Sequence, residues 1–528
     1  MKDFLEKFIN KKTIYIAVML VILLHPIIEL DYLFYDTLNK FGLPRLTTAC
    51  DFLLLPVLVL ATFILFEKKK KRIAFITIVY AVVFGVYFVL HCKNADFLQY
   101  NMHLPTRYVF LISDEVIYVI TLLLPLVYIW VVYLMEFTEK TLKYITVGLS
   151  SLVSLPIFIS NLFVFGKSTY QGYTIANFLS WFSLPYNKTN HHPRLYATKF
   201  FFEEGNTIGI LLIMVLPFLY YFLYKSKSKK EKGILGGLIV IHSLAMIELS
   251  TRIATYGSAI VPFMMLAIYL FLIIFKSEKF RKQYTAFCLA MVVFCGCVIP
   301  FGPAYQNQQI DATNYGFVKQ DDDKRAAARD EVLRNEGDLE PYSEEWINFY
   351  TYAFEQYAFL MGVTPPVYYL EWYDYKLDPK FWVDVIFDYE LEERINGRQI
   401  ENIFTHYKFD PLTPYQKAFG MGYSTFMRGS ILLERDFAQQ YFSFGPIGFV
   451  LLMSPWILIA IYLGIKLIFG YKKGQWTYLN IILMMSLCVG LLSSYISGHT
   501  LSELTSSLFI ALCAGMLFRN LKVNHEQN

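Results

Sequence analysis

Three stretches of the chain pair residue types able to hold a diphosphate and accept a proton. Arg194 lies in His191-His192-Pro193-Arg194-Leu195-Tyr196-Ala197-Thr198-Lys199-Phe200, just before an apolar run that Asn206 opens. Arg252 lies in Glu248-Leu249-Ser250-Thr251-Arg252-Ile253-Ala254, between two apolar runs joined by a very short connection. Glu434 and Asp436 lie in Leu433-Glu434-Arg435-Asp436-Phe437, shortly before Gly445-Pro446-Ile447-Gly448. A guanidinium is always charged and presents a planar fork of donors that suits phosphate oxygens. Two such groups with a carboxylate at the same level could neutralise a leaving diphosphate and deprotonate a nucleophile. Simpler readings stand beside this one. An Arg at the end of a membrane span can snorkel to headgroup phosphates, and Glu434 can sit as a companion to the positive end of the next helix.

The elements that must carry these residues are membrane spans. Of 528 residues, 56% are hydrophobic, 18% aromatic and only 17% charged, against about 25% charged in ordinary soluble domains. Mean hydropathy is +0.41. The composition excludes a disordered, fibrous or disulfide-stapled chain, and the scattered basic residues (formal net charge +4) exclude a nucleic-acid partner. With about 20 apolar residues needed per crossing, about twelve spans are predicted, near 13–30, 48–66, 73–91, 116–134, 144–166, 207–224, 233–250, 253–275, 284–300, 446–470, 476–494 and 500–518. The basic clusters, such as Lys68 to Arg72 and Lys225 to Lys232, then all fall on the cytoplasmic side if the N-terminus is cytoplasmic. Both termini are therefore expected inside, and the first run is expected to be a span rather than a removed leader. The expected organisation is a membrane domain over 1–300, a large outer loop over 301–444 and a second membrane part over 445–528. The seven Cys lie mostly in apolar runs and are expected to pack as small hydrophobes.

The outer loop is too long to be structureless. Helices are predicted at Asp323–Asn335 and Ser343–Gly362, the second lined with Trp346, Phe349, Tyr350, Phe354 and Tyr357. From Phe301 to Leu433 there are 22 acidic residues against 12 basic ones, which reads as a solvated surface; its Tyr and Trp side chains also suit sugar stacking or lipid headgroups.

Taken together, the three stretches resemble the O-antigen ligase and polymerase family of bacterial envelope enzymes. The resemblance rests on Arg194, Phe200/Phe202 and Asn206 in that order, on Thr251-Arg252 opening a later span, and on the large outer loop. It rests further on Gly420-Met421-Gly422-Tyr423 near the end of that loop, and on Glu434-Arg435 ahead of Gly445 and Gly448. It covers roughly residues 190 to 470. It departs from the lipopolysaccharide ligases at Glu434, where they carry a His proposed as the base, and this leaves the acceptor open. The resemblance implies an all-α polytopic membrane protein of GT-C type, acting on the outer face of a bacterial cytoplasmic membrane. It implies transfer of a glycan from a polyprenyl-diphosphate carrier to a glycan or other envelope acceptor, with inversion and with neither cofactor nor metal. Arg194 and Arg252 would hold the diphosphate, with Arg428 as a third candidate and Asn206 nearby. Glu434 would be the base, with Asp436 or His406 as alternatives. Ligase and polymerase are not separated by these residues. Asp321-Asp322-Asp323 is the one run that could bind a hard cation, and no His neighbours it.

A lipid-linked-sugar flippase is the competing class. Transporters place functional polar groups near the bilayer midplane, and only His242 and Glu248 approach that description here. His242 is expected to be a packing residue and Glu248 to lie near an outer end.

Overall fold

The computed structural model describes residues 10–66, 70–101, 109–169, 172–183, 196–275, 277–309, 322–363, 366–427, 433–471 and 474–526. Arg194, Arg428 and Asp321 lie outside the described residues. The described chain is helical, and β-structure among the described residues is confined to isolated bridges, Lys167 with Tyr173 and Ser168 with Thr198.

The helices include, in chain order, α1 Lys11–Ile28, α2 Leu46–Leu65, α3 Lys70–Asn101, α4 Ile112–Met135, α5 Glu139–Phe163, α6 Gly205–Lys225, α7 Lys229–Glu248, α8 Arg252–Ile274 and α9 Lys282–Val298. They continue with α10 Asp322–Glu336, α11 Glu344–Met361, α12 Pro379–Asp388, α13 Gly397–Phe409, α14 Pro414–Phe419, α15 Asp436–Phe469, α16 Tyr478–Ile496 and α17 Leu504–Glu526. Among the described residues, eleven helices are long and apolar enough to cross a membrane, so this is a multi-pass membrane protein. The count differs from twelve at α7. That helix forms where a span was predicted, but it opens on Lys229-Lys230-Glu231-Lys232 and carries three glycines and His242, which leaves too short an apolar stretch.

Two compact units emerge from the packing: Met1–Ile76 with Ile120–Ile310 and Pro455–Asn528, and Thr77–Val119 with Asp311–Ser454. In the first, α6 is the central helix, 89% buried along its apolar window. It packs against α5, α7, α8, α16 and α17. Helix starts are set by local caps. Thr138 accepts from the Thr141 amide at 3.2 Å ahead of α5, and Thr477 accepts from the Asn480 amide at 3.2 Å ahead of α16. His242 is fully buried, with Nδ1 between the Ser150 and Ser154 hydroxyls at 2.8 and 3.0 Å and Nε2 at 3.0 Å from the Leu212 carbonyl oxygen. Both nitrogens are used in tying α5, α7 and α6 together, as expected of a packing His.

The second unit has an aromatic core. α11 packs on α12 and α10 around Trp346, Tyr350, Phe354, Phe381, Trp382 and Phe404. Ser343 caps α11 by accepting from the Trp346 amide at 3.2 Å, and Gly362 ends it at φ 72°. The 323–335 and 343–362 helices are therefore present within a residue or two of their predicted ends. One charge pair is enclosed in this core: Lys408 Nζ lies 2.7 Å from Asp378 Oδ2, and both residues are wholly buried. The Lys408 ammonium also reaches the Tyr373 hydroxyl at 2.6 Å. Burial pulls the Lys408 ammonium below its ordinary range while Asp378 opposes the shift.

Candidate functional site

In the first unit the candidate residues stand at the starts of two packed helices. Asn206 is the second residue of α6 and is half-buried, and Arg252 is the first residue of α8, with its side chain exposed. The two starts meet. A Cβ on Gly205 would lie 3.5 Å from Thr251 Cγ2, and a Cβ on Gly209 would lie 2.8 Å from Thr251 Oγ1. Glycine at 209 is what lets α6 approach the cap of α8 so closely.

The segment entering α6 is fastened from several sides. The Asn161 side chain donates to the Thr198 carbonyl and accepts from its amide, both at 3.0 Å. Phe202 is fully buried against Phe200. Arg45 donates from Nε to Asp31 Oδ1 and from a terminal nitrogen to Glu203 Oε2, each at 2.9 Å. Lys199 donates to the Glu203 carbonyl oxygen at 2.6 Å. Burial, reinforced by Lys167, lowers the affinity of Lys199 for its proton.

The turn before α8 has an unusual surplus of polar groups. Ser250 adopts φ 64°, rare for a residue with a side chain. Thr251 makes no side-chain cap bond to α8. Both carboxyl oxygens of Glu248 and the hydroxyls of Ser250, Thr251 and Thr255 are buried without a hydrogen-bond partner among the described residues. Buried polar groups are nearly always satisfied, and these four residues run from the last residue of α7 through the connection into the first turn of α8, next to the exposed Arg252. The positive end of the α8 dipole favours negative charge at this start.

In the second unit, Glu434 stands just before α15, with its side chain 36% exposed. Arg398 Nε donates to Glu434 Oε2 at 2.7 Å. The Glu434 backbone amide donates to Glu401 Oε2 at 3.2 Å, and the Tyr368 hydroxyl donates to Glu401 Oε1 at 3.3 Å. Glu401 is 2% exposed. Burial first, and the neighbouring Glu434 charge second, push the Glu401 carboxyl up to about 8. The result is one accessible carboxylate held by a cation beside one buried carboxyl that keeps its proton at neutral pH. Asp436 is fully buried at the first turn of α15. His406 is exposed on α13, with Nδ1 3.4 Å from Asp410 Oδ2 and its ring edge-on to Phe442 at 5.0 Å.

The glycine element near Glu434 is a backbone dock. The Met421 amide donates to the Phe442 carbonyl at 3.0 Å, and the Gly422 amide to that of Ser443 at 2.8 Å. Gly420 is at φ 78° and Gly445 at φ 67°, and a Cβ on either would overlap the backbone of the other strand of chain. Three residues of the 77–119 segment hold this dock in place. Asn94 donates to the Gly420 carbonyl at 2.8 Å, His91 Nδ1 lies 2.7 Å from the Phe419 carbonyl oxygen, and Glu115 accepts from the Ser424 amide at 2.8 Å.

Arg398, Glu401, Tyr368, His91, Asn94 and Glu115 were not singled out by sequence. Glu401 alone leaves a trace, as a carboxylate set among Ile400, Ile403 and Phe404 on the apolar side of a helix. Among the described residues no three His, Cys, Asp or Glu side chains gather as a metal-ligand set.

The family model described as O-antigen ligase like membrane protein matches residues 11–524. No curated protein matches the chain.

Proposed function

The chain belongs to the O-antigen ligase-like family of membrane proteins, and from that premise we propose that it moves a glycan from a polyprenyl-diphosphate carrier to an acceptor hydroxyl on the outer face of a bacterial cytoplasmic membrane. In the reaction, the acceptor oxygen forms a bond to the anomeric carbon, and the bond from that carbon to the diphosphate oxygen breaks with its electron pair on the diphosphate. The acceptor's proton passes to a base. Attack opposite the leaving group inverts the anomeric configuration.

The observation that carries this reading is Glu434, an accessible carboxyl group held by Arg398 at 2.7 Å and fastened through its own backbone amide. Such a group takes a proton without first losing one, and general-base assistance contributes about 10²–10⁴-fold. Arg252, at the start of α8 beside the unsatisfied turn of Glu248 to Thr255, is assigned to the diphosphate, where a preorganised cation at a developing charge contributes several kcal/mol. Arg194 and Arg428 are assigned to the same anion. Asn206, Asp436 and His406 are assigned to substrate contacts. The sugar-facing role falls to the aromatic, acidic unit containing α10 to α14. The same donor chemistry serves a ligase and a polymerase; the acceptor alone divides them. We assign membership of a GT-C-type architecture and cytoplasmic termini on the basic-residue pattern and the family.

The test is reconstitution in liposomes with a polyprenyl-diphosphate glycan, with and without candidate acceptors, comparing wild type with Glu434→Gln and Arg252→Ala. Release of polyprenyl diphosphate that both substitutions abolish in folded protein is the expected result. Passage of intact lipid-linked glycan between leaflets without release would overturn the enzyme reading in favour of transport.

A further inference from the structure

Glu434 does not stand alone. Glu401 is too deeply buried to touch a substrate, yet its two side-chain oxygens accept from the Glu434 amide and from a neighbouring tyrosine. One oxygen takes the Glu434 amide proton at 3.2 Å and the other takes the Tyr368 hydroxyl at 3.3 Å. Gly397 leaves the room that the Tyr368 hydroxyl occupies, since a Cβ there would overlap it. Arg398, one turn before Glu401 on the same helix, holds the Glu434 carboxylate from the other side. A helix thus presents a cation to the side chain of Glu434 and a carboxyl to its backbone.

We propose that Glu401 is a positioning residue for the base: through its hydrogen bond to the Glu434 amide and through its own charge state, it fixes the Glu434 carboxylate and controls how readily that carboxylate takes the acceptor's proton. This rests on the reading of Glu434 as the base. The charged and titratable groups facing Glu401 are Tyr368 from the 368–372 turn, Arg398 from its own helix and Glu434 from the segment before α15. Burial pushes the Glu401 carboxyl up to about 8, so it holds its proton below that pH. As pH rises through about 8, Glu401 ionises. A second negative charge then faces Glu434, and a like charge at close range raises a carboxylate's affinity for protons. Glu401 makes and breaks no bond with substrate; the proton from the acceptor goes to Glu434 and then to water.

The experiment uses the full-length protein in liposomes, with kcat and KM measured from pH 6 to 9 for wild type, Glu401→Gln, Glu401→Ala and Glu434→Gln. Wild type should gain about two- to fivefold in kcat across pH 8, as expected for a modest rise in base strength. Glu401→Gln keeps an oxygen for the Glu434 amide but cannot ionise. It should show a several-fold lower kcat with KM unchanged, and no alkaline rise. Glu401→Ala should fall further. A Glu401→Gln profile that rises as in wild type overturns the proposal while leaving Glu434 as the base. Substantial turnover by Glu434→Gln overturns both. Should the Glu401 variants fail to fold, infrared difference spectra of wild type between pH 7 and 9 decide: loss of a protonated-carboxyl band supports the proposal, and its absence sinks it.

Discussion

Gly420 and Gly445 lie backbone against backbone, each in a left-handed conformation with ψ near 175° that a side chain cannot comfortably adopt. Their contact breaks α15 at its third turn and sets the Met421 and Gly422 amides onto the carbonyls of Phe442 and Ser443. Glu434 precedes the first stretch of α15, which runs from Asp436 into that break.

Alanine at either glycine must therefore both strain the backbone and force the two segments apart. Gly420→Ala and Gly445→Ala should each destabilise the protein by about 2–4 kcal/mol, combining the conformational cost with overpacking. Thermal unfolding in detergent, followed by tryptophan fluorescence, measures it. The double variant should cost less than the sum, because one separation relieves both clashes. Full additivity would mean the glycines do not share a contact.

The raised Glu401 carboxyl makes a second prediction, about stability rather than rate. Between its ordinary value of 4.5 and about 8, the native state holds a proton that the unfolded chain has released. Stability contributed by this group is therefore complete below that window and declines as pH rises through it. Glu401→Gln removes the titration. Its apparent Tm should fall less than that of wild type between pH 5 and 8, and at pH 8 the variant should melt higher. Parallel curves for the two proteins would show that Glu401 does not carry the shift.

What sequence could and could not reveal follows from the range of the interactions. The spans are local properties of composition, and their positions hold, except that the charges at the start of α7 reduce the apolar count by one. Ser343 and Gly362 mark the ends of α11 because capping acts within a turn. Gly420, Gly422 and Gly445 stand out through the family resemblance, which does not reveal that Gly420 and Gly445 meet. Glu401 and Glu434 are 33 positions apart, and Glu115 and Ser424 are 309 apart. No periodicity or motif reports a pairing of that kind. The 22 acidic residues between 301 and 433 hid Glu401, since an acidic surplus reads as solvated surface until burial is known.

Lys408 and Asp378 provide a test of the unit that holds α10 to α14. Removing one partner of a buried pair strands the other charge, at a cost of about 3–5 kcal/mol. Lys408→Met should show that loss. Adding Asp378→Asn removes the stranded charge while keeping acceptors for the Tyr373 and Tyr407 hydroxyls, which bond Asp378 at 2.7 and 3.4 Å. The double variant should therefore be more stable than Lys408→Met alone, and limited proteolysis of this unit, compared across the three proteins, reads the order.

The assignment of Arg252 to the diphosphate separates charge from shape. Lysine at 252 keeps the charge at the start of α8 but loses the planar fork that meets two phosphate oxygens at once. If Arg252 only anchored α8 to lipid headgroups, Arg252→Lys would behave as wild type, since an ammonium snorkels as well as a guanidinium. If Arg252 holds the leaving group, Arg252→Lys should lower kcat about 10-fold and Arg252→Ala about 10²–10³-fold, the range for loss of one preorganised group at a developing charge. The unsatisfied turn from Glu248 to Thr255 adds a second handle. Thr251→Val keeps its shape and removes one hydroxyl, so it should raise KM for the lipid-linked donor with little change in melting temperature. A headgroup anchor predicts no change in KM. The two kinetic constants, measured on the same reconstituted proteins, therefore decide between an anchor in the bilayer and a clamp on the substrate.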